Sequence, residues 1–361
     1  KGVPVLVENP PAMHRTTQVF EKGNWMVKGA TVKPDVPDVL NPFPEDAPRN
    51  RLGLAQWIVD EQNPLTARTV VNRIWQQIFG QGLVTTVEDL GSQSEPSVHS
   101  ELLDWLAVRL VKEHKWHLKP LIRDIVLSGT YRQSSAVTDQ HREVDPYNLY
   151  YARGPRFRLS AEQIRDQALA VSGLLSAKMY GPSVMPPQPD DIWQTVYNGE
   201  KWVTAEGEDR YRRGVYTFIK RTSPYPSLVS FDAGSREICQ IQRTRTNTPL
   251  QALVTLNDPV YTEAALAWAD KLLKTGGDAE KLIKIAYYEA TFRSVSSEKS
   301  DAFLKLYEQA IEHFEEDDKY LDKYLSIGVL NLKERENRLE LAALSIVCSA
   351  IMNLDEFLTK T

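Results

Sequence analysis

The sequence predicts a mainly α-helical, multi-helix globular protein with one long Pro-rich and aromatic loop and a short β hairpin or edge strand. Three observations support this fold class. Apolar residues recur at spacings of three and four over most of the chain after residue 50. Asn, Asp and Pro stand at the expected helix starts, and Gly stands at helix ends. The composition, 42% hydrophobic and 25% charged, is typical of a folded protein with a sizeable core.

In the first half of the chain, the sequence predicts an extended lead-in segment followed by a helical unit. Residues 1–50 are rich in proline, with short β-type runs such as 16–20, and predict an extended segment. Residues 51–180 predict helices, beginning near residue 52. The second helix is expected over 64–79, because Asn63 supplies an N-cap and Pro64 a proline at the first helical position. The helices predicted after it lie at 99–113, 119–128 and 161–175.

Residues 181–260 interrupt the helical pattern. The stretch 181–207 combines prolines and aromatic residues without helical periodicity, and predicts a long ordered loop. Residues 213–221 alternate as in a strand or a hairpin edge. A short helix is expected over 249–256, before the helix-breaking Asn-Asp-Pro that follows it. Residues 261–361 predict a C-terminal helical unit, with helices at 260–273, 279–292, 298–315 and 332–357.

Charge and composition exclude several classes of protein. A net charge of −5 argues against nucleic acid as the main partner, because phosphate binding normally needs a basic excess. The charge is uneven, however: residues 210–245 contain eight Lys or Arg and two Asp or Glu, whereas residues 278–361 contain seventeen acidic and eleven basic residues. The middle of the chain is therefore predicted to attract anions. The absence of an apolar run of eighteen residues predicts no membrane-spanning segment.

The two cysteines, Cys239 and Cys348, exclude a disulfide framework. The sequence has no Cys-x-x-Cys-His motif and no Cys/His set at zinc spacing, so we expect neither c-type haem nor a metal on this chain.

The polar segment 231–259 is the strongest candidate for a functional site. It contains three arginines and an amide residue that are candidate ligand-binding residues: Arg236, Arg243, Arg245 and Asn247. Arginines bind carboxylate, sulfate or phosphate in bidentate fashion, so one interpretation is an anion site. The other interpretation is a buried ion network, in which these arginines pair with Asp232, Glu237, Glu162 and Asp166.

Four further residues complete the predicted ligand-binding set. Arg68 and Asn72 share one strip of the predicted second helix. Trp193 and Trp202 lie in the long loop, where aromatic rings either stack on sugars or anchor the loop.

Asp232 and Glu237 are the candidate catalytic pair. Two carboxyl groups at a suitable separation act as general acid and base on a glycosidic bond. The alternative is that both only pair with neighbouring arginines.

Several segments resemble a known family. They are RLGLAQWIVDEQNPLTARTVVNRIWQQIFGQGLV, SVHSELLDWLA, KPLIRDIVLSGTYRQSS, RGPRFRLSAEQIRDQALAVSGLL, FDAGSREIC and RTNTPLQALVTLND. In this order they resemble the planctomycete-type PSD domain of unknown function, found in large secreted proteins of Planctomycetes, Verrucomicrobia and Bacteroidetes. There the domain usually follows a cytochrome c domain and a second domain of unknown function. The resemblance implies an extracytoplasmic (periplasmic or cell-surface) part of a multidomain protein, with the upstream domains as partners and any haem c on an upstream portion.

Three functions remain open from the sequence. The first is binding, in which the arginines hold an anionic polysaccharide or dock a redox domain. The second is a hydrolytic or oxidative enzyme of polysaccharide utilisation, with Asp232 and Glu237 as acid and base. The third is a purely structural role, in which the polar segment locks the long loop in place.

Overall fold

A computed structural model describes residues 3–190, 192 and 201–360. The chain divides into two compact units, Lys1–Gly154 and Pro155–Thr361. The described residues form fourteen α-helices and two antiparallel sheets of two strands each, so the predicted mainly helical class is confirmed.

The first unit is a β hairpin followed by helices. Strands β1 (Thr17–Phe20) and β2 (Lys28–Val32) pair antiparallel. The helices that follow are α1 (Arg51–Ile58), α2 (Thr66–Phe79), α3 (Ser100–Lys112), α4 (Leu118–Val126) and α5 (Asp139–Val144). The apolar faces of α2, α3 and α4 form the core of this unit, where the ring of Trp75 stacks on that of Phe79 at 4.3 Å between centroids. Both rings belong to α2, and each also meets the buried Tyr151 ring edge-on at 5.2 Å between centroids, which anchors α2 in this core.

The ends of α2 follow from local chemistry. The Oδ1 atom of Asn63 accepts hydrogen bonds from the backbone N–H groups of Leu65 and Thr66. These bonds cap a turn at Pro64 and Leu65, and the regular helix begins at Thr66, two residues later than predicted. It ends at Gly80, which has a φ of 82° and adopts the left-handed conformation expected of a glycine at a helix end.

The second unit contains two short strands and nine of the helices described here. The elements are β3 (Phe157–Arg158), α6 (Ala161–Ser172), α7 (Pro226–Ser230), α8 (Pro249–Asn257), α9 (Pro259–Leu273), α10 (Ala279–Thr291), α11 (Ser297–Glu316), α12 (Asp318–Leu325), α13 (Arg338–Met352), α14 (Asp355–Leu358) and β4 (Thr359–Lys360). Helices α9 and α13 are buried around most of their circumference and pack on each other at the centre. Strand β4 pairs antiparallel with β3, which joins the last described residues to the start of the unit.

Two predictions of local structure are wrong. Residues 213–221 do not form a strand: they contain a 3₁₀ turn at Gly214–Tyr216, and pairing is limited to isolated bridges at Arg212 and Thr217. Each bridge partner is a single loop residue, so no continuous strand lies beside this segment. The helix predicted over 332–357 begins only at Arg338 and is broken after Met352, because Leu354 has an extended backbone before α14.

The predicted long loop 181–207 lies partly outside the described residues, which omit 191 and 193–200. Its described parts, 181–190 and 201–206, contain no helix and no strand. The middle of the segment therefore lies mostly outside the described residues, whereas its two flanks are loop, as predicted.

Candidate functional site

The polar segment between α7 and α8 forms a surface loop that is closed at its neck. The carboxylate of Asp232 accepts hydrogen bonds from the Thr246 backbone N–H at 2.7 Å and from the Thr246 hydroxyl at 2.8 Å. The Gln251 amide also donates to this carboxylate, at 3.4 Å. Because these bonds hold both ends together, residues 233–245 form a compact Ω-type loop. All residues from 235 to 242 are exposed.

The two predicted catalytic carboxylates have different environments in this loop. Asp232 is half-buried in the neck, at a φ of 62° that Asp tolerates better than most residues. Glu237 lies in the exposed part, where its backbone N–H donates to the Ser235 hydroxyl at 3.3 Å. The contacts of Asp232 are those of a residue that closes the loop. Its pairing with Glu237 in catalysis stays a prediction.

Arg243 forms an ion pair with Glu162, which is one of the pairings predicted for a buried ion network. Its guanidinium donates two hydrogen bonds to Glu162 of α6, at 2.7 and 3.0 Å. Burial alone would raise the pKa of Glu162, but the bonds from Arg243 and from nearby backbone groups hold that pKa below its usual value. Asp166 is occupied elsewhere, since it accepts a hydrogen bond from the Gly214 backbone N–H at 2.6 Å. The pair of Arg243 and Glu162 thus fastens the loop to α6.

Arg245 and Lys360 approach the same aromatic ring. The guanidinium carbon of Arg245 lies 4.4 Å from the centroid of the Phe157 ring, and the Lys360 Nζ lies 5.8 Å from it. Phe157 and Lys360 are register partners in the β3–β4 pair, which places the ammonium group beside the ring. Both cations are within range of a favourable interaction with the ring quadrupole. Two positive charges are therefore held close together by one ring.

Arg158 extends this cluster of positive charge. Its Nη2 donates to the Asn247 Oδ1 at 2.8 Å, whereas its Nη1 is buried without a hydrogen-bond partner in the described parts of the chain. Burial lowers the pKa of Lys360 to about 8 and also lowers the pKa of Arg245. Arg245 forms no ion pair with any described residue. The name "Phe157 basic cluster" is used below for Phe157, Arg158, Arg245, Asn247 and Lys360.

The Phe157 basic cluster has the chemistry of an anion site. Guanidinium groups present paired N–H donors that match the oxygens of carboxylate, sulfate or phosphate. An anion at the cluster would offset the mutual repulsion of its cations and would supply an acceptor for the free Nη1 of Arg158.

Arg68 and Asn72 hold the first unit together. Arg68 pairs with Asp104 of α3 at 2.5 Å and donates to the Pro64 carbonyl at 2.7 Å. Asn72 is fully buried, and its amide exchanges two hydrogen bonds of 2.9 Å with the backbone of Val84. These contacts connect α2 to the other elements of its own unit.

Trp202 anchors the flank of the long loop. Its ring stacks on the buried ring of Tyr225, with 5.7 Å between centroids, and its indole N–H donates to the Pro186 carbonyl at 2.8 Å. Of the two interpretations of the loop tryptophans, anchoring describes Trp202. Trp193 lies outside the described residues. Arg236 is exposed on the polar loop, and its side chain forms no ion pair with a described residue.

Two further charged side chains, Arg165 and Asp258, are buried in the second unit. Arg165 of α6 is almost fully buried and donates to the Arg212 carbonyl at 2.6 Å. Asp258 caps α9 by accepting the Val260 N–H, and burial raises the pKa of this carboxyl to about 6. Within the described residues, no group of three His, Cys, Asp or Glu side chains is placed to hold a metal ion.

Sequence reasoning did not select Phe157, Arg158 or Lys360 as site residues. Strands β3 and β4 have two residues each, which is too short for an alternating pattern, and they are separated by almost the whole second unit. The basic run at Arg156 and Arg158 was the only local signal.

Comparison with known proteins agrees with the motifs. The sequence profile of the family described as PSD1, protein of unknown function (DUF1553), matches residues 50–307, and the chain therefore belongs to this family. No curated protein and no solved structure matches the chain. None of the helices in the described residues has the length and apolar character needed to cross a membrane.

Proposed function

We propose that this chain binds an anionic polysaccharide at the Phe157 basic cluster. The observation that supports the proposal is the placement of Arg245 and Lys360 on one ring, beside the buried and unpartnered Nη1 of Arg158. Arg245 has no carboxylate partner among the described residues, whereas Arg243 in the same unit is neutralised by Glu162, as is normal for an arginine with a structural role.

A polymer with repeated carboxylate or sulfate groups fits this surface better than a single small anion. Each acidic group adds a contact of limited strength, and contacts along one chain reinforce each other. Phe157 is half-buried, so part of the residue is open to solvent, and Arg236 is exposed on the polar loop of the same unit. The proposal includes an extracytoplasmic location in a cytochrome-associated multidomain protein, as the family resemblance implies.

The test is titration of the full chain with defined polymers: polygalacturonate, dextran sulfate and neutral dextran. We expect both charged polymers to bind and neutral dextran not to bind. Binding should weaken at least tenfold between 0.05 and 0.5 M NaCl, roughly the response expected when contacts are electrostatic and exposed to salt.

The variant Arg245→Ala should weaken binding of the charged polymers about tenfold. The matched control is Arg142→Ala, which removes an exposed arginine that is paired with Asp139 in the first unit. If Arg245→Ala binds the polymers as tightly as Arg142→Ala does, or if neither charged polymer binds, the proposal is wrong.

Part of the polar segment also supports the structural alternative. The neck formed by Asp232, Thr246 and Gln251 holds the loop whether or not a ligand is present. We propose that Asp232 and Arg243 shape the loop and that Arg245 contacts the ligand. In that case Asp232 variants change loop stability, and Arg245 variants change affinity without changing stability.

A further inference from the structure

The hairpin of β1 and β2 in the first unit is exposed on both faces. All residues from 11 to 35 are exposed except Gln18 and Gly29, which are half-buried. No residue of either strand belongs to a hydrophobic cluster in the described part of the chain. A two-stranded hairpin that lacks a packed face is only marginally stable in water. Its apolar side chains therefore remain available for contact with a surface outside the chain.

The turn that joins the two strands presents two large apolar side chains at its tip. Trp25 is 70% exposed and Met26 is 69% exposed. The Asn24 Oδ1 accepts a hydrogen bond from the Met26 N–H at 3.0 Å, and the Glu21 N–H donates to the Val27 carbonyl at 3.1 Å. These bonds fix the turn, so Trp25 and Met26 are presented to solvent together by an ordered backbone.

The hairpin also has an excess of positive charge. Residues 15–33 contain one acidic residue, Glu21, and four basic residues, and all five are exposed. The next acid along the chain, Asp35, is already paired with Arg49 at 2.9 Å. The four basic residues are Arg15, Lys22, Lys28 and Lys33. Because Lys22 and Lys28 stand on either side of Trp25 and Met26 in the sequence, the apolar tip is flanked by ammonium groups.

We propose that the tip of this hairpin binds the surface of a membrane that contains anionic lipids. The amphipathic ring of tryptophan is suited to the headgroup level of a bilayer. Lysines close to a bilayer are attracted by its anionic headgroups, and aromatic and basic residues together are typical of segments that lie at this interface. The site lies in the other unit from the Phe157 basic cluster and does not depend on polysaccharide binding.

Two other occupants of the tip fit these observations less well. A second copy of the chain would bring two positively charged hairpins together, and like charges repel. A stable protein interface normally buries about 800 Å² on each partner, which is more than two side chains of the size of Trp25 and Met26 supply. Insertion into a headgroup layer needs only a few side chains, because the attraction of the lysines adds to their burial.

The test is sedimentation of the full chain with vesicles of two compositions. One is phosphatidylcholine alone, and the other contains equal parts of phosphatidylcholine and phosphatidylglycerol. We expect at least tenfold tighter binding to the anionic vesicles, and we expect this preference to fall at high salt, because the charges at a membrane surface are screened.

Two pairs of variants connect this binding to the tip. Lys22→Glu should weaken binding to the anionic vesicles at least tenfold, whereas Lys119→Glu, which changes an exposed lysine of α4 in the same unit, should change it less than threefold. Trp25→Ser should also weaken binding at least tenfold, and its matched control is Leu127→Ser, because Leu127 is 58% exposed in the first unit. All four variants should melt at the temperature of the unchanged chain. Trp25→Ser should bind dextran sulfate normally, which separates this surface from the polysaccharide site.

Entry of the tip into the bilayer is measured with lipids that are brominated on their acyl chains, because bromine quenches a nearby tryptophan. The chain contains eight tryptophans, so the signal of Trp25 is isolated by a variant. Trp25→Phe keeps an aromatic ring and should bind the anionic vesicles within threefold of the unchanged chain. The same variant should lose most of the quenching.

Five results would overturn the membrane proposal. Three of them are equal binding to the two kinds of vesicle, full binding by Trp25→Ser, and unchanged quenching in Trp25→Phe. The fourth is self-association of the unchanged chain that Trp25→Ser abolishes, since this would assign the tip to a second copy. The fifth is binding to polyglutamate but not to anionic vesicles, again abolished by Trp25→Ser, since this would assign the tip to an acidic protein.

Discussion

Replacing Asp232 by alanine should open the Ω-type loop while leaving the rest of the second unit folded. The carboxylate is the acceptor for the Thr246 N–H and the Thr246 hydroxyl, and alanine offers no acceptor. The substitution also places a Cβ without a polar side chain at a φ of 62°.

The magnitude follows from these contacts. Two hydrogen bonds to a charged group at a half-buried site contribute about 3 kcal/mol together, and alanine in the left-handed region costs about 1 kcal/mol more. A loss of about 4 kcal/mol corresponds to an increase on the order of a thousandfold in local opening. Asp232→Asn keeps an acceptor and tolerates the backbone, so we expect a loss of only about 1 kcal/mol.

The assay is hydrogen exchange of the Thr246 amide, followed by mass spectrometry or NMR. Exchange should be fastest in Asp232→Ala, intermediate in Asp232→Asn and slowest in the unchanged chain, whereas amides of α13 should exchange alike in all three. If Asp232→Ala accelerates exchange at Thr246 less than threefold, the neck does not hold the loop and the reasoning fails.

Other parts of the second unit give three further predictions. Burial raises the pKa of Asp258 from 3.8 to about 6, so the folded state holds this proton more tightly than the unfolded chain and loses stability as the pH rises from about 4 through 6. Asp258→Asn should remove that loss. In urea unfolding at several pH values, the free energy of unfolding of the variant should rise relative to that of the unchanged chain as the pH increases across this range. Glu162 has the opposite effect on the pH dependence of stability. Its pKa is lowered despite burial, so its ionised carboxylate stabilises the folded state above pH 4.5, and this stabilisation is lost as the pH falls below that value. Glu162→Gln should therefore melt at a lower temperature than the unchanged chain at pH 7, with the difference shrinking on acidification; an equal difference at pH 3 and pH 7 would contradict this. Gly328→Ala should destabilise the protein strongly, because a Cβ there lies 2.3 Å from the carboxyl carbon of Glu263. Gly276→Ala places its Cβ in open space and should cost only about 1 kcal/mol for its positive φ. Equal melting temperatures for the two variants would refute the steric argument.

The helices were predictable from the sequence where local chemistry decides their ends. Asn63 and Gly80 mark the limits of α2 closely, because capping depends on residues that are neighbours in the chain. The predicted helix over 332–357 was wrong for a related reason: apolar spacing continues through Leu354, but spacing does not report the extended backbone at that residue.

The candidate site was predictable only in part. The sequence showed that Arg243 and Glu162 were suitable partners, and the structure pairs them. It did not show that Asp232 bonds to Thr246 instead of an arginine, because that choice depends on a positive φ and on where a distant backbone N–H points. Phe157 and Lys360 meet only because the chain returns to its own beginning in this unit, which no local pattern reports.

The closed neck of the Ω-type loop makes the helical framework insensitive to the residues at the tip of the loop. Because the neck fixes both ends, changes in residues 235–242 do not alter the path of the chain into α8. Doubling the length of a flexible loop costs only about 0.6 kcal/mol of closure entropy. Insertions and substitutions at this tip are therefore thermodynamically inexpensive. The helical framework does not depend on Ser235 to Cys239, the last five residues of the family-like motif FDAGSREIC, so these residues are available for recognition.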